Sequence, residues 1–417
     1  MSFPRMYRIR QEFERQIISD VEAETSTQLQ RLNLASQISA GQTVAITVGS
    51  RGIANIARIT KSVVDYVKSL GGIPIIIPAM GSHGGATAEG QRQLIENYGV
   101  TEEYLGCEIQ SSMETVIVAE TSQGIPVHFD KNAFAADHLI VMGRIKPHTG
   151  FVGDVESGLH KMMLIGLGKH AGALMYHRAI KNYSFGEIIK SVAEVVLKKC
   201  KVVAGVAIVE NAYDETALIE AISPQRFYER ECELLKQAVT WMPKLPFAEA
   251  DLLIIDQIGK NISGTGMDTN IIGRKYNDHV ATEKDNANCK RIFVRGLTEE
   301  TKGNATGIGL AEFTLQRCVD QINTESTRIN CITSSHPTGA MIPCVYENDK
   351  AAIEDALKTI GLTEPEDAKI MHIKDTLHLA ELEVSEAYMK ASSENQFEIV
   401  NESKSLGFDG DNMLNDI

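Results

Sequence analysis

Short apolar runs alternate with helical periods along most of this chain, and that alternation constrains its fold more than any other feature. Thr43–Val48 is a β-rich run that stops at Gly49-Ser50. Apolar side chains then recur at three- and four-residue steps from Ile53 to Leu70, as on one face of a helix, and Gly71-Gly72 ends it. Repeated strand–helix units of this kind predict parallel sheets flanked by helices.

Further strands are predicted where a short apolar run is bounded by turn residues. They are Ile73–Pro78 and residues 138–142, 204–209, 251–255, 291–294, 329–332 and 369–373, and a helix is predicted near 88–98. The predicted fold class is α/β with two domains, each a mainly parallel sheet flanked by helices. Because ligands of open α/β sheets bind beyond the carboxyl ends of the strands, we expect the active site in the interdomain cleft.

The domain boundary is predicted at a proline-rich segment, Trp241-Met-Pro-Lys-Leu-Pro246. It separates a larger first domain, 1–246, from a smaller α/β domain, 247–388. Residues 389–417 are polar and acidic, and we expect this tail either to fray or to pack back on the body of the protein, with the first domain as one surface for it.

Charge and cysteine usage narrow the classes of partner and compartment. The chain has 41 basic and 55 acidic residues, a formal charge of −14, and its sequence shows no basic stripe that would follow a phosphate backbone. Nucleic acid is therefore excluded as a predicted partner. Its 7 cysteines are widely spaced without a Cys-x-x-Cys pair, and no apolar run is long enough to span a membrane. These features predict a cytoplasmic protein with no membrane partner.

Polar, glycine-rich segments follow several of the predicted strands and are the candidate ligand-binding turns. They contain Arg51, His83 and His148, and a further segment runs from Gln257 to Gly266. An arginine at a helix start makes an anion site, although Arg51 could also be a solvated turn residue. The two histidines follow different strands, where a general acid or base can reach a ligand, but ordinary loop histidines remain the alternative.

Lys161 precedes an apolar, glycine-rich run, and His177 follows it sixteen residues later. Burial would lower the pKa of such a lysine and make it nucleophilic, whereas an ammonium that reaches water would be inert. The spacing of His160, His170 and His177 does not match a His-x-x-x-His zinc helix, so spacing alone does not indicate a metal site.

Glycine patterns leave two other functions open. Gly166-x-Gly168 and Gly303-x-x-x-Gly307, with Tyr346-x-x-x-Lys350, resemble parts of dinucleotide-binding proteins. A nicotinamide-dependent dehydrogenase of a hydroxy acid is therefore one alternative, although no clear acidic ribose partner follows either glycine turn. A non-catalytic organic-anion-binding protein is the other.

Five motifs in order resemble those of the lactate racemase family. They are Gly81-Ser-His83, Lys-Pro-His148-x-Gly-Phe, Ser-Gly-x-x-Lys161, His177 and Gln257-x-x-Lys260. The resemblance spans nearly the whole chain, and the order and the Lys-to-His interval make it specific. It implies a two-domain α/β isomerase that uses a nickel-pincer nucleotide, pyridinium-3,5-bisthiocarboxylic acid mononucleotide with nickel, which the host's cofactor-biosynthesis proteins must supply.

The resemblance also implies a role for each matched residue. Lys161 would hold the cofactor covalently, His177 would bind nickel, His83 and His148 would be the acid/base pair, and Arg51, Gln257 and Lys260 would bind substrate. The first domain would then carry catalysis and cofactor attachment.

The chemistry implied is inversion of the carbinol carbon of a small-molecule 2-hydroxy acid or sugar acid by hydride transfer. A racemase or epimerase of this kind needs a base for the hydroxyl on either side, and two histidines meet that need. The first turn here is Gly-Ser-Arg-Gly-Ile, without the Asp and the Thr-Arg-Pro of lactate racemase itself. A substrate other than lactate is therefore at least as well supported.

Overall fold

Two large sheets, both mainly parallel, organise the chain in this computed structural model, which describes residues 2–50, 52–391, 397–401 and 403–417. The sheets belong to two units. One unit is formed by residues 15–242, and the other by residues 1–14 together with 243–417.

The strands, in chain order, are β1 (Arg5–Gln11), β2 (Thr43–Val48), β3 (Ile73–Pro78), β4 (Glu108–Ile109), β5 (Thr115–Glu120), β6 (Pro126–Asp130), β7 (His138–Arg144), β8 (Val202–Glu210), β9 (Thr216–Ile222), β10 (Glu249–Ile255), β11 (Asn288–Val294), β12 (Phe313–Leu315), β13 (Cys344–Tyr346), β14 (Ile370–Ile373), β15 (Glu381–Ser385), β16 (Phe397–Ile399) and β17 (Lys404–Ser405). The α-helices are α1 (Val21–Gln30), α2 (Ile56–Ser69), α3 (Ala88–Glu96), α4 (Glu102–Leu105), α5 (Lys131–Ala135), α6 (Gly158–Lys161), α7 (Lys169–Ala179), α8 (Phe185–Lys199), α9 (Phe227–Trp241), α10 (Thr269–Ile272), α11 (Gln316–Asp320), α12 (Thr324–Thr333), α13 (Asp349–Leu357) and α14 (Glu386–Ala391).

The sheet of residues 15–242 has the strand order β4-β3-β2-β7-β8-β9, and only its last pair, β8 with β9, is antiparallel. Both faces are buried. Ala45 and Val141 belong to the core shared with α8 and α9, whereas Val44 and Ile140 belong to the core shared with α1 and α2. This confirms the predicted α/β class, because a parallel sheet needs helices on both faces.

The sheet of the other unit has the order β13-β12-β11-β10-β14-β15-β1-β16, with β17 also paired to β1. Strands β10 to β14 pair in parallel, and β1 pairs antiparallel with β15, with Ile9 opposite Leu382. The predicted boundary placed residues 1–14 in the first domain. The structure instead groups them with the C-terminal unit, because this strand completes that unit's sheet.

The C-terminal tail also differs from the expectation that it packs on the first domain. Strands β16 and β17 pair with β1 in the C-terminal unit, and Arg295 of the same unit binds the Asp416 carboxylate at 2.6 Å. The division after Met242 falls inside the proline-rich segment that the sequence marked.

The predicted strand at 329–332 is wrong, because these residues lie in α12. The Asn323 side chain accepts a hydrogen bond from Ser326 N at 2.9 Å and caps the helix, and Thr327 and Cys331, four residues apart, are its buried side chains. A short apolar run does not distinguish strand from helix. Within the described ranges, none of the helices combines the length and apolarity needed to cross a membrane.

Candidate active site

A π-helical segment, Met162–Gly166, lies against the carboxyl ends of the parallel strands in the unit of residues 15–242. A Cβ built on Gly143, at the end of β7, would lie 3.0 Å from Met162 Cγ. One built on Gly81, just after β3, would lie 2.9 Å from Ile165 Cγ2. The glycines therefore allow this segment to approach the sheet edge where ligands of α/β folds bind. Single π turns are frequent at functional sites.

The turn that carries Lys161 is held by Glu231, a buried carboxylate on α9. Glu231 accepts hydrogen bonds from Leu159 N and, at 3.1 Å, from His160 N, and it also contacts His160 Nδ1. Gly158, with φ +72°, leaves room for this carboxylate at the start of α6. A negative charge at this helix start is favourable, so Glu231 fixes the single turn that ends at Lys161.

Replacing Glu231 by Ala should lower the free energy of unfolding of this unit by about 3 kcal/mol, because buried N–H groups lose their charged acceptor. Trp241, the chain's one tryptophan, is buried on the same helix. Its fluorescence in a urea titration therefore measures the unfolding of this unit. The matched control is Glu233→Ala, which removes an exposed carboxylate on α9 that pairs with Arg230. It should change the free energy of unfolding by less than about 1 kcal/mol. Equal effects would contradict the assignment.

Phe151 brings together three of the predicted site residues. Its ring stacks on His148 with 4.2 Å between centroids and lies 5.7 Å from the ring of His177. The Lys161 ammonium lies 5.6 Å from the centre of the Phe151 ring. Phe185 stacks on Phe151 with 4.0 Å between ring centroids and supports the cluster. The structure thus places a base candidate, a lysine and a metal-ligand candidate around one ring.

The loop after β7 fixes the orientation of His148. Its Nδ1 accepts hydrogen bonds from Gly150 N and Phe151 N, both at 3.0 Å, and its backbone N donates to Glu156 Oε2 at 2.8 Å. Because Nδ1 accepts from two N–H groups, the neutral imidazole in this geometry carries its proton on Nε2.

His83 follows β3 and is oriented by a hydroxyl. Its Nδ1 lies 2.5 Å from Ser50 Oγ, and the Tyr98 hydroxyl donates to Ser50 O at 2.8 Å. A serine hydroxyl either donates or accepts, so this bond is compatible with a proton on either nitrogen of His83.

His177 lies on α7 close to Lys161. Burial and, to a lesser degree, the positive charge of Lys161 lower the pKa of His177 to about 4. At neutral pH its imidazole is therefore uncharged, which is the form that binds transition metals. Within the described ranges, no three His, Cys, Asp or Glu side chains gather as a metal site of their own.

The lowered pKa of His177 predicts a specific acid sensitivity. An unfolded histidine has a pKa near 6.5, so between about pH 6.5 and 4 the unfolded chain binds a proton that the folded chain does not. The contribution of His177 to the free energy of unfolding is fully present above this window. It is lost as the pH drops through the window, by roughly 3 kcal/mol. In nickel-free protein, His177→Gln should remove this part of the pH dependence of urea unfolding, followed by Trp241 fluorescence. If the free energy of unfolding depends on pH in the same way in the variant and the parent, the lowered pKa of His177 is ruled out.

Arg51 lies outside the residues that the structure describes, but its neighbours are well fixed. Gly52 O accepts from Arg144 Nη1 at 3.2 Å, and Ala54 N donates to Glu210 Oε1 at 2.6 Å. Arg144 and Glu210, at the ends of β7 and β8, form an ion pair with each other. Gly52 and Ala54 are thus tied to the carboxyl edge of the sheet.

Gln257 and Lys260 follow β10 in the other unit. Gln257 Nε2 donates to Asp375 Oδ2 at 3.2 Å, and Lys260 Nζ donates to Gly264 O at 2.7 Å. Both residues follow the carboxyl end of a parallel strand, and their role in substrate binding stays a prediction.

The glycine patterns do not lie in dinucleotide-binding turns. Gly166 ends the π-helical segment and Gly168 precedes α7, so neither follows a strand directly. A Cβ on Gly307 would lie 1.8 Å from Thr265 O, which shows that this glycine faces the protein's own backbone. A Rossmann fingerprint requires a strand before the turn and room for a pyrophosphate.

Comparison with known proteins agrees with this geometry. A family model described as the lactate racemase N-terminal domain matches residues 11–186, which include His83, His148, Lys161 and His177. This part of the chain is therefore similar to the N-terminal domain of lactate racemases. This similarity supports a racemase-type, isomerase function.

A solved structure shares the fold. The lactate racemase apoprotein from Thermoanaerobacterium thermosaccharolyticum superposes with a TM-score of 0.54 and 16% sequence identity, over 88% of this chain and 93% of that chain. At this identity the likeness concerns the fold alone. No curated protein matches the chain.

Proposed function

We propose that this protein is a racemase or epimerase that inverts the carbinol carbon of a 2-hydroxy acid or sugar acid by hydride transfer, using a nickel-pincer nucleotide attached to Lys161. The observation that carries the proposal is the cluster of His148, Lys161 and His177 around Phe151, within the residues that match the lactate racemase N-terminal domain.

The side chains present fit the proposed cofactor. The Lys161 ammonium and the His177 ring both lie within 6 Å of the Phe151 ring centre, so one bound group can be reached by both. His177 is neutral because burial lowers its pKa to about 4, and a neutral imidazole suits nickel. When bound, the nickel-pincer nucleotide supplies an electron-poor centre for hydride, and sulfur donors that let one protein histidine suffice.

The chain's own residues supply proton transfer and orientation. One histidine of the pair His83 and His148 takes the hydroxyl proton as the C2 hydrogen leaves, and the other returns a proton to the oxygen after the planar keto acid is reduced from its opposite face. Arg51, Gln257 and Lys260 are proposed to bind the substrate, with the two cations holding its carboxylate.

The test uses protein produced in cells that make the cofactor. We expect nickel, an adduct mass on a Lys161 peptide, and interconversion of enantiomers or C2 epimers for at least one member of a panel of hydroxy acids and sugar acids. Nicotinamide-dependent oxidation without nickel would support a dehydrogenase instead. Binding of hydroxy acids by protein that carries the adduct, without any turnover, would support an anion-binding protein.

A further inference from the structure

Lys169 is a completely buried lysine that the proposed chemistry does not use. It begins α7, the helix that carries His177, and its backbone has φ +52°, a left-handed conformation that residues other than glycine adopt rarely. Such strain persists only where surrounding contacts hold it. The contacts of the side chain therefore indicate what the strain serves.

The Lys169 ammonium makes two hydrogen bonds and one ion pair inside the protein. It donates to Pro78 O, the last carbonyl of β3, and to Gln91 Oε1 at 3.2 Å, and it forms an ion pair with Asp130 Oδ2 at 3.1 Å. Gln91 and Asp130 are both fully buried. The charge is thus balanced by one carboxylate inside the protein.

Gln91 links this ammonium to the loop of His83. Its Nε2 donates to Gly81 O at 2.9 Å and to His83 O at 3.3 Å, so both N–H bonds of the carboxamide are used. An ammonium only donates hydrogen bonds. Lys169 therefore holds the Gln91 oxygen on its own side and directs the amide N–H groups to the two loop carbonyls.

The loop lies tightly against the helix that carries Gln91. A Cβ on Gly84, which has φ +65°, would lie 2.6 Å from the carbonyl carbon of Gly90 on α3, and one on Gly90 would lie 2.0 Å from Gly84 O. Beyond the loop, His83 Nδ1 meets Ser50 Oγ at 2.5 Å. A small shift of the loop carbonyls would therefore move the imidazole away from Ser50.

We propose that Lys169 and Gln91 are positioning residues for His83. Lys169 fixes the orientation of the Gln91 carboxamide, and the carboxamide holds the carbonyls of Gly81 and His83 so that the imidazole stays on Ser50. The catalytic consequence rests on the proposed function, because it requires His83 to transfer protons. The positioning itself is independent of turnover and is measurable on the protein alone.

Gln91→Glu and Gln91→Met separate the two halves of the link. The glutamate still accepts from Lys169 but cannot donate to the loop carbonyls, and the methionine does neither. Long-range proton–nitrogen NMR of histidine-labelled protein reports which ring nitrogen of His83 carries the proton. We expect both variants to change the His83 nitrogen signals, and kcat for inversion to fall about 100-fold with KM within about twofold. Gln93→Glu, on the exposed side of α3, should change neither.

Lys169→Met tests the first half of the link, because Lys169 is connected to the carbonyls of Gly81 and His83 through Gln91. It should shift the same His83 signals. Should the unpaired Asp130 prevent folding, the double variant Lys169→Met with Asp130→Asn removes both charges and carries the same expectation.

Unchanged His83 signals in folded Gln91→Glu would overturn the positioning role, and unchanged signals in the Lys169 variants would overturn the part of Lys169. Shifted signals in a protein whose parent inverts no substrate would leave the positioning in place and reject the proposed function instead.

Discussion

Lys161→Ala should abolish covalent attachment of the cofactor completely. Lys161 ends the turn that Glu231 fixes, and its ammonium faces the Phe151 ring at 5.6 Å, beside His177. No neighbouring amine on α6 can replace it, because the other residues of this turn are Gly158, Leu159 and His160. Intact-protein mass spectrometry of variant and parent from cofactor-producing cells measures the adduct directly.

The control for this variant is Lys190→Ala, which removes an exposed lysine on α8 and should leave the adduct mass unchanged. A companion variant, His177→Ala, should keep the adduct but lose nickel, because attachment and metal binding use different atoms. A full adduct mass in Lys161→Ala would remove the assignment. Equal nickel in His177→Ala and the parent would move the metal ligand to His160 or His170.

The α/β class was predictable because it depends on local patterns. The runs around β2, β3 and β10 are short, apolar and bounded by glycine or proline, so sequence alone placed them within a few residues. The strand predicted at 329–332 failed because a stretch as short as Ile329-Asn-Cys-Ile332 suits a strand and a helix equally. In the structure the Asn323 side chain caps a helix here. The prediction gave more weight to the apolar residues than to this local capping signal.

Long-range pairing was not predictable from one sequence. Strand β1 pairs with β15, so Arg10 lies opposite Glu381, and nothing in residues 5–11 specifies a partner so far along the chain. The same limit applies to the site. The motifs predicted His148, Lys161 and His177 as site residues. Phe151 is the last residue of the motif Lys-Pro-His148-x-Gly-Phe, but the sequence indicated no role for it.

Glu231 and Gln91 carried no signal, because each lies on an amphipathic helix where a polar residue is ordinarily solvated. Only the fold shows that both are buried and bonded to the turns that bear site residues. Lys169, which lies between Gly168 and His170, likewise carried no signal in the sequence.

His83→Ala and His148→Ala should each stop net inversion, lowering kcat by about 1,000-fold, because each turnover needs one proton acceptor and one proton donor. The structure gives the two rings different hydrogen bonds. His83 Nδ1 lies 2.5 Å from the Ser50 hydroxyl oxygen. If Nδ1 carries the proton, it donates to this hydroxyl, and the unprotonated Nε2 is then available as a base. His148 Nδ1 accepts from Gly150 N and Phe151 N, so in this geometry Nε2 carries the proton.

This asymmetry makes single-turnover experiments informative. With C2-deuterated substrate, His83→Ala should still cleave the C2–D bond of one enantiomer, and His148→Ala that of the other. In the parent, the enantiomer that uses His83 as base should react in the faster phase, because His148 becomes a base only by giving up its bonds to Gly150 N and Phe151 N. Starting from each enantiomer separately, the amount of keto acid formed and chiral analysis of the remaining substrate after rapid quenching measure each rate.

Three results would change the assignment. Loss of C2–D cleavage for both enantiomers in both variants would mean that the two histidines act as one unit or hold the structure. Inversion at the parent rate in either variant would make that histidine an ordinary loop residue. A parent that cleaves both enantiomers in equal phases would show that the His148 loop opens during turnover. In that case the bonds from Gly150 and Phe151 would describe only the resting ring, and either histidine would serve as base with equal ease.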